Sequence, residues 1–405
     1  MAGADLSQED GHVGGRRVLM RVRPLSVPIG PHIEALQQRS HRFRRQPDTF
    51  AATVSDEEYQ RLKMHPATEV YPDVQLHPAA GTVPFTRNMT PAAGLPGLQD
   101  VLQSISAPTA WNKSRGKDTF IAIMDSGVCG TMKEFPDWKR AGGWSFDGSD
   151  PWTDYSGHGS MAACVAAATE SDGGASNGVA PDAKLYSCKT QYLTSQLIDA
   201  YEWLIDRREE HKQPIVANNS YGSYTCNPPE EHDVQGNKQP ITINHPFVTA
   251  LQQAIAAGIA VVFAAGNNHS NCSSGPPPCQ PNTIWTWNSL DEVLSVGTVD
   301  QNNDLWEYSS RGPGQWTNPV APKPDCVAPT YGEVMWGCGY QNMGKGWGTS
   351  GAAPLAAGLV ALLASQQPGS TPADLLDRIR QTCDPHPTPH ECSGHGVINC
   401  ARAVY

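Results

Sequence analysis

The sequence has no long uninterrupted apolar run, and charged residues make up only 17% of its 405 residues. No stretch reaches the length of apolar residues that spans a bilayer, so we expect no membrane-crossing segment. The first twenty residues carry Asp5, Glu9 and Asp10 and lack the apolar core of a secretory signal. These absences predict an ordinary globular chain that has no membrane partner and no signal peptide within this sequence.

An excess of basic charge is also missing, because the formal net charge is -11 at pH 7. Residues 1–78 carry equal numbers of acidic and basic side chains, so residues 79–405 hold the whole negative balance. Nucleic-acid binding depends largely on neutralising phosphates with lysine and arginine. The charge distribution therefore argues against nucleic acid as a partner.

Cysteine is abundant and odd in number, with eleven residues. At least one must be unpaired or must pair between chains. The cysteine content favours an oxidising compartment, whereas the absence of a signal favours the cytosol. The sequence leaves that choice open.

The N-terminal part predicts a small domain. Residues 1–15 are Gly-rich and polar and are expected to form a disordered tail. Residues 16–78 alternate strands with helices, which predicts an α+β, ferredoxin-like domain with one face of its sheet covered. Residues 79–97 are rich in Pro, Gly and Ala and predict a linker. The predicted elements are strands Val18–Val22, Thr49–Val54 and Thr68–Leu76, a helix from about 31 to 45, and a helix that begins with a Ser55/Glu58 capping box.

Residues 98–405 show a different pattern, in which short apolar strands alternate with helices. Repeated β–α alternation predicts a parallel sheet flanked by helices. In such α/β folds the ligand site lies beyond the carboxyl ends of the strands. The main predicted strands are 120–124, 183–188, 215–220, 259–263 and 294–299, and the main helices begin at 158, 194, 246, 350 and 372.

Five chemically useful side chains converge on that edge. Asp125, Ser220 and Asn267 follow apolar strands, while His158 and Ser350 begin helices. A serine hydroxyl needs a base within hydrogen-bond reach to act as a nucleophile. His158 is a suitable base, and Asp125 is suited to orient its imidazole. The Asn267 amide and the Ser350 N–H are suited to stabilise an oxyanion.

The motifs around these residues resemble those of the subtilisin-like serine proteases, the subtilases, and the resemblance covers nearly the whole chain. The matching segments are Ile121-Ala122-Ile123-Met124-Asp125-Ser126-Gly127, Gly157-His158-Gly159-Ser160, Ala264-Ala265-Gly266-Asn267, Gly348-Thr349-Ser350 with Ala352-Ala353-Pro354, Ser309-Ser310-Arg311-Gly312-Pro313, and Lys323-Pro324-Asp325. The resemblance implies a subtilisin-like α/β fold and a serine endopeptidase acting on proteins or peptides. It implies no cofactor for catalysis, and we expect a monomer.

The resemblance also interprets the remaining parts. Residues 16–78 resemble an inhibitory propeptide, residues 79–97 the segment cut during processing, and residues 98–405 the catalytic domain. Two short segments resemble the walls of the main specificity pocket: Ser220, Tyr221 and Gly222 on one side, and Ala264, Ala265 and Gly266 on the other. The chain departs from the family pattern at Gly351, Met161 and Cys164, none of which is a member of the triad.

Metal and disulfide sites are less sharply indicated. Asp172, with Glu170 nearby, lies in a loop that corresponds to a common subtilase calcium site, so a structural calcium is predicted there. A zinc site made by Cys383, His386, His390, Cys392 and His395 competes with a disulfide-closed loop, which fits the spacing better. Within the chain, Cys272–Cys279 is the preferred disulfide, and Cys326–Cys338 is a second candidate.

Three functions follow from this pattern. The preferred one is a self-processing zymogen of a serine endopeptidase. A peptide ligase or macrocyclase would use the same acyl-enzyme and resolve it with an amine. A non-catalytic binding protein would keep the fold and use the insertion at about 223–245 as its interface.

Overall fold

The computed structural model describes residues 15–23, 29–78, 94–232, 238–272, 279, 282–316, 323–343 and 346–405. The chain divides into two compact units, the smaller formed by residues 1–74 with 230–239, and the larger by 75–229 with 240–405. Almost all of the predicted tail 1–15 and most of the predicted linker 79–97 lie outside the described residues. The division into propeptide, linker and catalytic domain stays a prediction.

The smaller unit contains a four-stranded antiparallel sheet with the strand order β2-β3-β1-β4. This order is that of the ferredoxin-like βαββαβ arrangement. The predicted capping box is present, because Ser55 Oγ accepts from the Glu58 N–H and Glu58 Oε2 accepts from the Ser55 N–H. The elements are β1 (Arg16–Val22), α1 (Gly30–Arg39), β2 (His41–Arg42), β3 (Thr49–Val54), α2 (Asp56–Met64) and β4 (Thr68–Pro72).

Two predicted boundaries in this unit are wrong. The first helix ends at Arg39 instead of about 45, because Ser40 adopts an extended backbone and the next residues pair with β3. The last strand ends at Pro72 instead of Leu76. A strand of only two residues, such as β2, carries too short a pattern to be seen in a sequence.

The larger unit is built on a seven-stranded parallel sheet with the order β15-β14-β13-β9-β6-β8-β7. The strands of the chain after β4 are β5 (His77–Pro78), β6 (Phe120–Asp125), β7 (Arg140–Ser145), β8 (Lys184–Lys189), β9 (Ile215–Asn219), β10 (Tyr221–Gly222), β11 (Glu230–His232), β12 (Lys238–Pro240), β13 (Ile259–Ala264), β14 (Leu294–Val299), β15 (Cys326–Pro329), β16 (Gly332–Trp336) and β17 (Gly339–Met343). The predicted parallel sheet flanked by helices is confirmed.

Helices cover the sheet. One set, with α8 at its centre, packs against β9, β13 and β14, while α6 and α7 pack on each other and on β6 and β13 respectively. The helices are α3 (Leu98–Ser104), α4 (Ala107–Ala110), α5 (His158–Ala167), α6 (Thr194–His211), α7 (Pro246–Ala256), α8 (Thr349–Gln366), α9 (Pro372–Thr382), α10 (His390–Ser393) and α11 (Cys400–Val404). Strands β6, β9, β13 and β14 are buried along their whole length, which explains their continuous apolar sequence.

Helix α8 is the central helix of the larger unit. Its first sixteen residues are buried, and many are Ala or Gly, so neighbouring helices approach closely. Within the described residues it is the one helix long and apolar enough to cross a membrane, but 89% of it is buried in the protein, as in a core helix. The expectation that no apolar segment has that length is therefore wrong.

Three disulfides join distant segments: Cys129–Cys338, Cys226–Cys272 and Cys279–Cys392. The predicted pairs Cys272–Cys279 and Cys326–Cys338 are wrong, since three of these cysteines bond to partners elsewhere and Cys326 is a buried free thiol. Cys392 does lie in a disulfide, although the bond does not close its local loop. These predictions paired cysteines that are close in sequence, whereas the fold joins cysteines up to 209 positions apart.

Candidate active site

The predicted residues lie at the carboxyl edge of the parallel sheet or at helix starts beside it. Strand β6 ends at Asp125, Ser220 follows β9, and Asn267 lies three residues after the end of β13. Helices α5 and α8 begin at His158 and at Thr349, immediately before Ser350. Strand ends in a parallel sheet converge on one edge, which is why residues so far apart in sequence share one region.

Asp125 and His158 form a direct pair. The imidazole Nδ1 lies 2.9 Å from each carboxylate oxygen of Asp125, and both side chains are buried. The Ser126 N–H donates to Asp125 Oδ1 over 2.7 Å. With Nδ1 engaged by the carboxylate, the other ring nitrogen, Nε2, is directed away from Asp125 and is buried without a hydrogen-bond partner among the described residues.

Asp154 shapes the turn that leads into helix α5. Its carboxylate accepts hydrogen bonds from the backbone of Ser156, Gly157 and Ser160, and from the hydroxyls of Ser126 and Ser160. Gly157 has φ of +90°, and a Cβ there would meet the Trp336 indole at 2.5 Å. The turn therefore requires glycine at this position. Asp154 is therefore a loop residue that fixes the start of the His158 helix.

Ser350 is buried in the first turn of α8 and is joined reciprocally to Ser220. Its Oγ donates to the Ser220 carbonyl over 3.0 Å, and Ser220 Oγ donates to the Ser350 carbonyl over 2.9 Å. In this arrangement the Ser350 hydroxyl is directed to the strand edge and makes no hydrogen bond to His158.

Asn267 connects the end of β13 to the start of α8. Its Oδ1 accepts from both the backbone N–H and the hydroxyl of Thr349, each over 2.9 Å. The Thr349 hydroxyl in turn accepts from the Gly266 N–H over 3.1 Å. These bonds fix the carboxamide oxygen against the α8 N-terminus, the positive end of the helix dipole.

The two predicted pocket walls are joined by a residue that the sequence did not indicate. Asn288 is buried, and its Nδ2 donates to the Tyr221 carbonyl over 3.0 Å and to the Ala264 carbonyl over 2.6 Å. A Cβ at Gly222 would approach this amide at 2.8 Å. Asn288 lies in a single 3-10 turn, Thr286–Ser289, which is too short to give a pattern by which it could have been found.

A short segment of the same chain adds to one wall as a strand. Residues of β5 pair antiparallel with β10, His77 opposite Gly222 and Pro78 opposite Tyr221. On its other side the Leu76 N–H donates to the Tyr192 carbonyl over 2.9 Å. Leu76 is fully buried. The segment Gln75–Pro78 therefore lies between two backbone edges of the larger unit, as an added strand does in peptide recognition.

A second residue outside the sequence predictions contacts Asp125. The Tyr192 hydroxyl donates to Asp125 Oδ1 over 2.7 Å. Burial raises the pKa of Tyr192 well above its usual value, and the charge of Asp125 adds to this shift. A tyrosine in a connection between a strand and a helix is common enough to pass unnoticed in a sequence.

The predicted metal residues are placed as follows. Asp172 Oδ2 accepts from the Trp138 indole over 3.0 Å and from the Ser171 hydroxyl over 3.3 Å. Where the chain is described, no three His, Cys, Asp or Glu side chains cluster as metal ligands would. Calcium is usually held by six to eight oxygen ligands, and one carboxylate with these neighbours fits that set poorly. Calcium binding at Asp172 and Glu170 stays a prediction. The disulfide at Cys392 removes one thiolate from the zinc alternative.

Comparison with known proteins agrees with this geometry. Residues 116–396 match the family model described as the subtilase family. The chain is 30% identical to an intracellular serine protease of Paenibacillus polymyxa over 68% of its length and 76% of that protein's. It is 29% identical to subtilisin E of Bacillus subtilis over 82% of its length and 74% of that protein's.

A solved structure supports the fold. The crystal structure of MycP1, determined with the N-terminal propeptide removed, superposes with a TM-score of 0.57 at 22% identity. The match covers 75% of this chain and 96% of MycP1. The family match spans most of the chain and contains every predicted catalytic residue, and we conclude that the chain belongs to the subtilase family of serine proteases.

Proposed function

We propose that the protein is an endopeptidase that cleaves peptide bonds through an acyl-enzyme on Ser350. The observation that carries this proposal is the buried Asp125–His158 pair, with both carboxylate oxygens 2.9 Å from Nδ1. That pairing assigns the proton to Nδ1 and leaves Nε2 as the basic nitrogen. His158 Nε2, which has no partner among the described residues, is the atom that takes the Ser350 proton.

Substrate binding itself frees the nucleophile. The Ser350 hydroxyl now donates to the Ser220 carbonyl. A peptide bound in the antiparallel register of Gln75–Pro78 has its next residue opposite Ser220, where its N–H competes for that same carbonyl. Displaced from Ser220, the hydroxyl turns about χ1 towards the imidazole.

The reaction follows from these groups. Ser350 Oγ attacks the carbonyl carbon while His158 takes its proton, and Asp125 stabilises the imidazolium. The Ser350 N–H at the start of α8 and the Asn267 amide donate to the developing oxyanion. His158 then protonates the leaving amine, and a water molecule attacks the acyl-enzyme with the same histidine as base. Water gives hydrolysis, whereas an amine would give ligation.

The first cleavage is expected within the chain. Residues Gln75–Pro78 occupy the position that a substrate strand would take, which supports residues 16–78 as an inhibitory propeptide. In a substrate strand with this register, the residue after the one opposite Tyr221 is opposite Ser220, so we expect the processed bond to be the one between Ala79 and Ala80. MycP1 was crystallised with its N-terminal propeptide removed, so a relative of the same fold has such a segment.

Incubation of purified protein tests the proposal. Wild type should lose its first domain and yield a product that begins at Ala80, whereas Ser350→Ala should keep the 43.6 kDa mass. Adding a trace of processed enzyme to Ser350→Ala shows whether the uncut variant can be cleaved by another molecule. Cleavage would mean that the variant lacks only its own activity, whereas no cleavage would mean that its fold protects the bond. A serine-directed phosphonylating probe should label wild type alone. Absence of both labelling and cleavage would exclude the proposal and favour a binding protein, and products joined by a new amide bond would favour a ligase.

A further inference from the structure

We propose that Tyr192 is a positioning residue for the reaction: its hydroxyl fixes the Asp125 carboxylate against His158, while its backbone carbonyl binds the substrate strand. This inference rests on the proposed function. It joins two contacts made by a single residue, the hydroxyl to Asp125 Oδ1 over 2.7 Å and the carbonyl to the Leu76 N–H over 2.9 Å.

The backbone of Tyr192 is held in an unusual conformation. Its φ is +63°, in the left-handed region that bulky side chains rarely adopt. The Tyr192 N–H donates to Thr190 Oγ1 over 3.2 Å, and the ring packs against that of Tyr221 with centroids 5.5 Å apart. A strained backbone conformation of this kind persists only where surrounding contacts hold it in place. In this conformation the Tyr192 hydroxyl points to Asp125 and the carbonyl points to the Gln75–Pro78 strand.

The hydroxyl contributes both geometry and charge. Asp125 Oδ1 already accepts from the Ser126 N–H, and Tyr192 adds a second donor from another element. Two donors on one oxygen restrict rotation of the carboxylate and therefore of the imidazole that it holds. They also disperse negative charge from Oδ1, one of the two carboxylate oxygens that lie 2.9 Å from His158 Nδ1. Since burial raises the pKa of Tyr192, the hydroxyl keeps its proton over the working pH range of a protease.

Other charged and titratable groups around the pair must be considered for any pH dependence. Asp154 reaches Asp125 through Ser126, whose hydroxyl donates to Asp154 Oδ1 over 2.8 Å and lies 3.2 Å from Asp125 Oδ1. Lys189 pairs in register with Asp125 on β8, but its ammonium donates to Ser149 and Thr153. The hydroxyl of Tyr155 donates to the Thr190 carbonyl. Buried tyrosines Tyr221 and Tyr224 complete the surroundings, and burial raises the pKa of both.

The test compares Tyr192→Phe with Tyr201→Phe. Tyr201 is also buried and donates its hydroxyl to Asn219, so its loss controls for the removal of a buried hydrogen bond. Tyr192→Phe should lower kcat about 10-fold with little change in KM, because the carbonyl that binds substrate is retained. The acidic limb of its kcat/KM profile should move to higher pH, since a carboxylate with one donor fewer stabilises the imidazolium more strongly.

A second readout does not depend on turnover. In a Ser350→Ala background, the Nδ1–H proton of His158 should resonate further downfield in Tyr192→Phe than in the parent, because the bond to Asp125 strengthens. Unchanged pH profile and resonance would overturn the role of Tyr192 even in an active enzyme. An inactive wild type with the resonance shift present would instead contradict the proposed function and leave the positioning role intact.

Discussion

The indole of Trp336 lies edge-on to the imidazole of His158, with ring centroids 5.7 Å apart. The indole N–H also donates to the Ser156 carbonyl, and the Gly337 N–H donates to the Gly157 carbonyl. Trp336 ends strand β16 of a hairpin that the Cys129–Cys338 disulfide ties to the segment after Asp125. A cross-link distant in sequence therefore supports the contact on the proposed base.

We expect loss of this disulfide to reduce both stability and activity. In a Cys129→Ser/Cys338→Ser variant, the free energy of unfolding should fall by about 2–5 kcal/mol, because the bond constrains a long loop of the unfolded chain. Denaturant unfolding in a Ser350→Ala background measures this. In the active background, kcat should also fall as Trp336 loosens. The matched control is Cys279→Ser/Cys392→Ser, which should lose stability but retain kcat, and equal kcat in both variants would refute a role for the hairpin.

Two substitutions of Asn267 separate its two functions. Asn267→Asp keeps an oxygen for Thr349 but replaces the amide donor by a negative group, whereas Asn267→Ala removes both. Loss of one oxyanion donor costs about 10²–10³-fold in kcat, a scale set by subtilisin itself. We expect at least that loss in Asn267→Asp with stability retained, and a further loss of stability only in Asn267→Ala. Near-normal kcat in Asn267→Asp would show that the amide donor is not used.

Leu76 should determine a preference in substrates. Its side chain is fully buried beside the edge formed by Tyr192, four residues before the bond expected to be cut. A synthetic peptide of residues 72–83 should be cut between Ala79 and Ala80. The same peptide with Leu76→Asp should have kcat/KM lower by about 10-fold or more, because a carboxylate is costly at a fully buried position. His77→Ala serves as the control peptide, since that side chain is exposed, and mass spectrometry locates each cut.

Lys139 predicts an unusual pH dependence of stability. Its side chain is fully buried and donates to the carbonyls of Pro181 and Ala183, and burial lowers the pKa of its ammonium to about 7. Between pH 7 and about 10 the unfolded chain binds more protons at this residue than the folded one, so its contribution to stability rises with pH. The slope is at most about 1.4 kcal/mol per pH unit.

The comparison with Lys139→Met isolates this effect, because all other groups cancel. Measured by denaturant unfolding in the Ser350→Ala background, the stability of the lysine protein should rise relative to that of the methionine variant as the pH increases from 7 to 10. Parallel curves for the two proteins would mean that Lys139 titrates normally in the fold.

The sheet could be predicted from the sequence because its strands are buried on both faces and are therefore continuous apolar runs. Strand β14 was predicted with the bounds that the structure has. The nearness of Asp125 and His158 followed from a single rule about the carboxyl ends of parallel strands. Local sequence patterns were therefore sufficient to predict the strands whose successive residues are all buried.

Contacts that depend on tertiary structure could not be predicted in this way. Tyr192 and Asn288 both lie outside the strands and the long helices, and each acts through hydrogen bonds that leave no periodic pattern in the sequence. The cysteine pairs failed for the same reason, because partners were sought nearby in sequence although the fold joins Cys129 to Cys338. Composition and periodicity contain no information on such pairings.

The position of the first cysteine also sets how the protein comes apart. No cysteine precedes Cys129, so a cut near residue 79 releases an N-terminal piece that nothing covalent retains. A nick anywhere between residues 129 and 338 leaves the two fragments joined by the Cys129–Cys338 disulfide. Maturation should therefore be visible on a gel without reductant, whereas later autolytic damage would stay hidden until the sample is reduced.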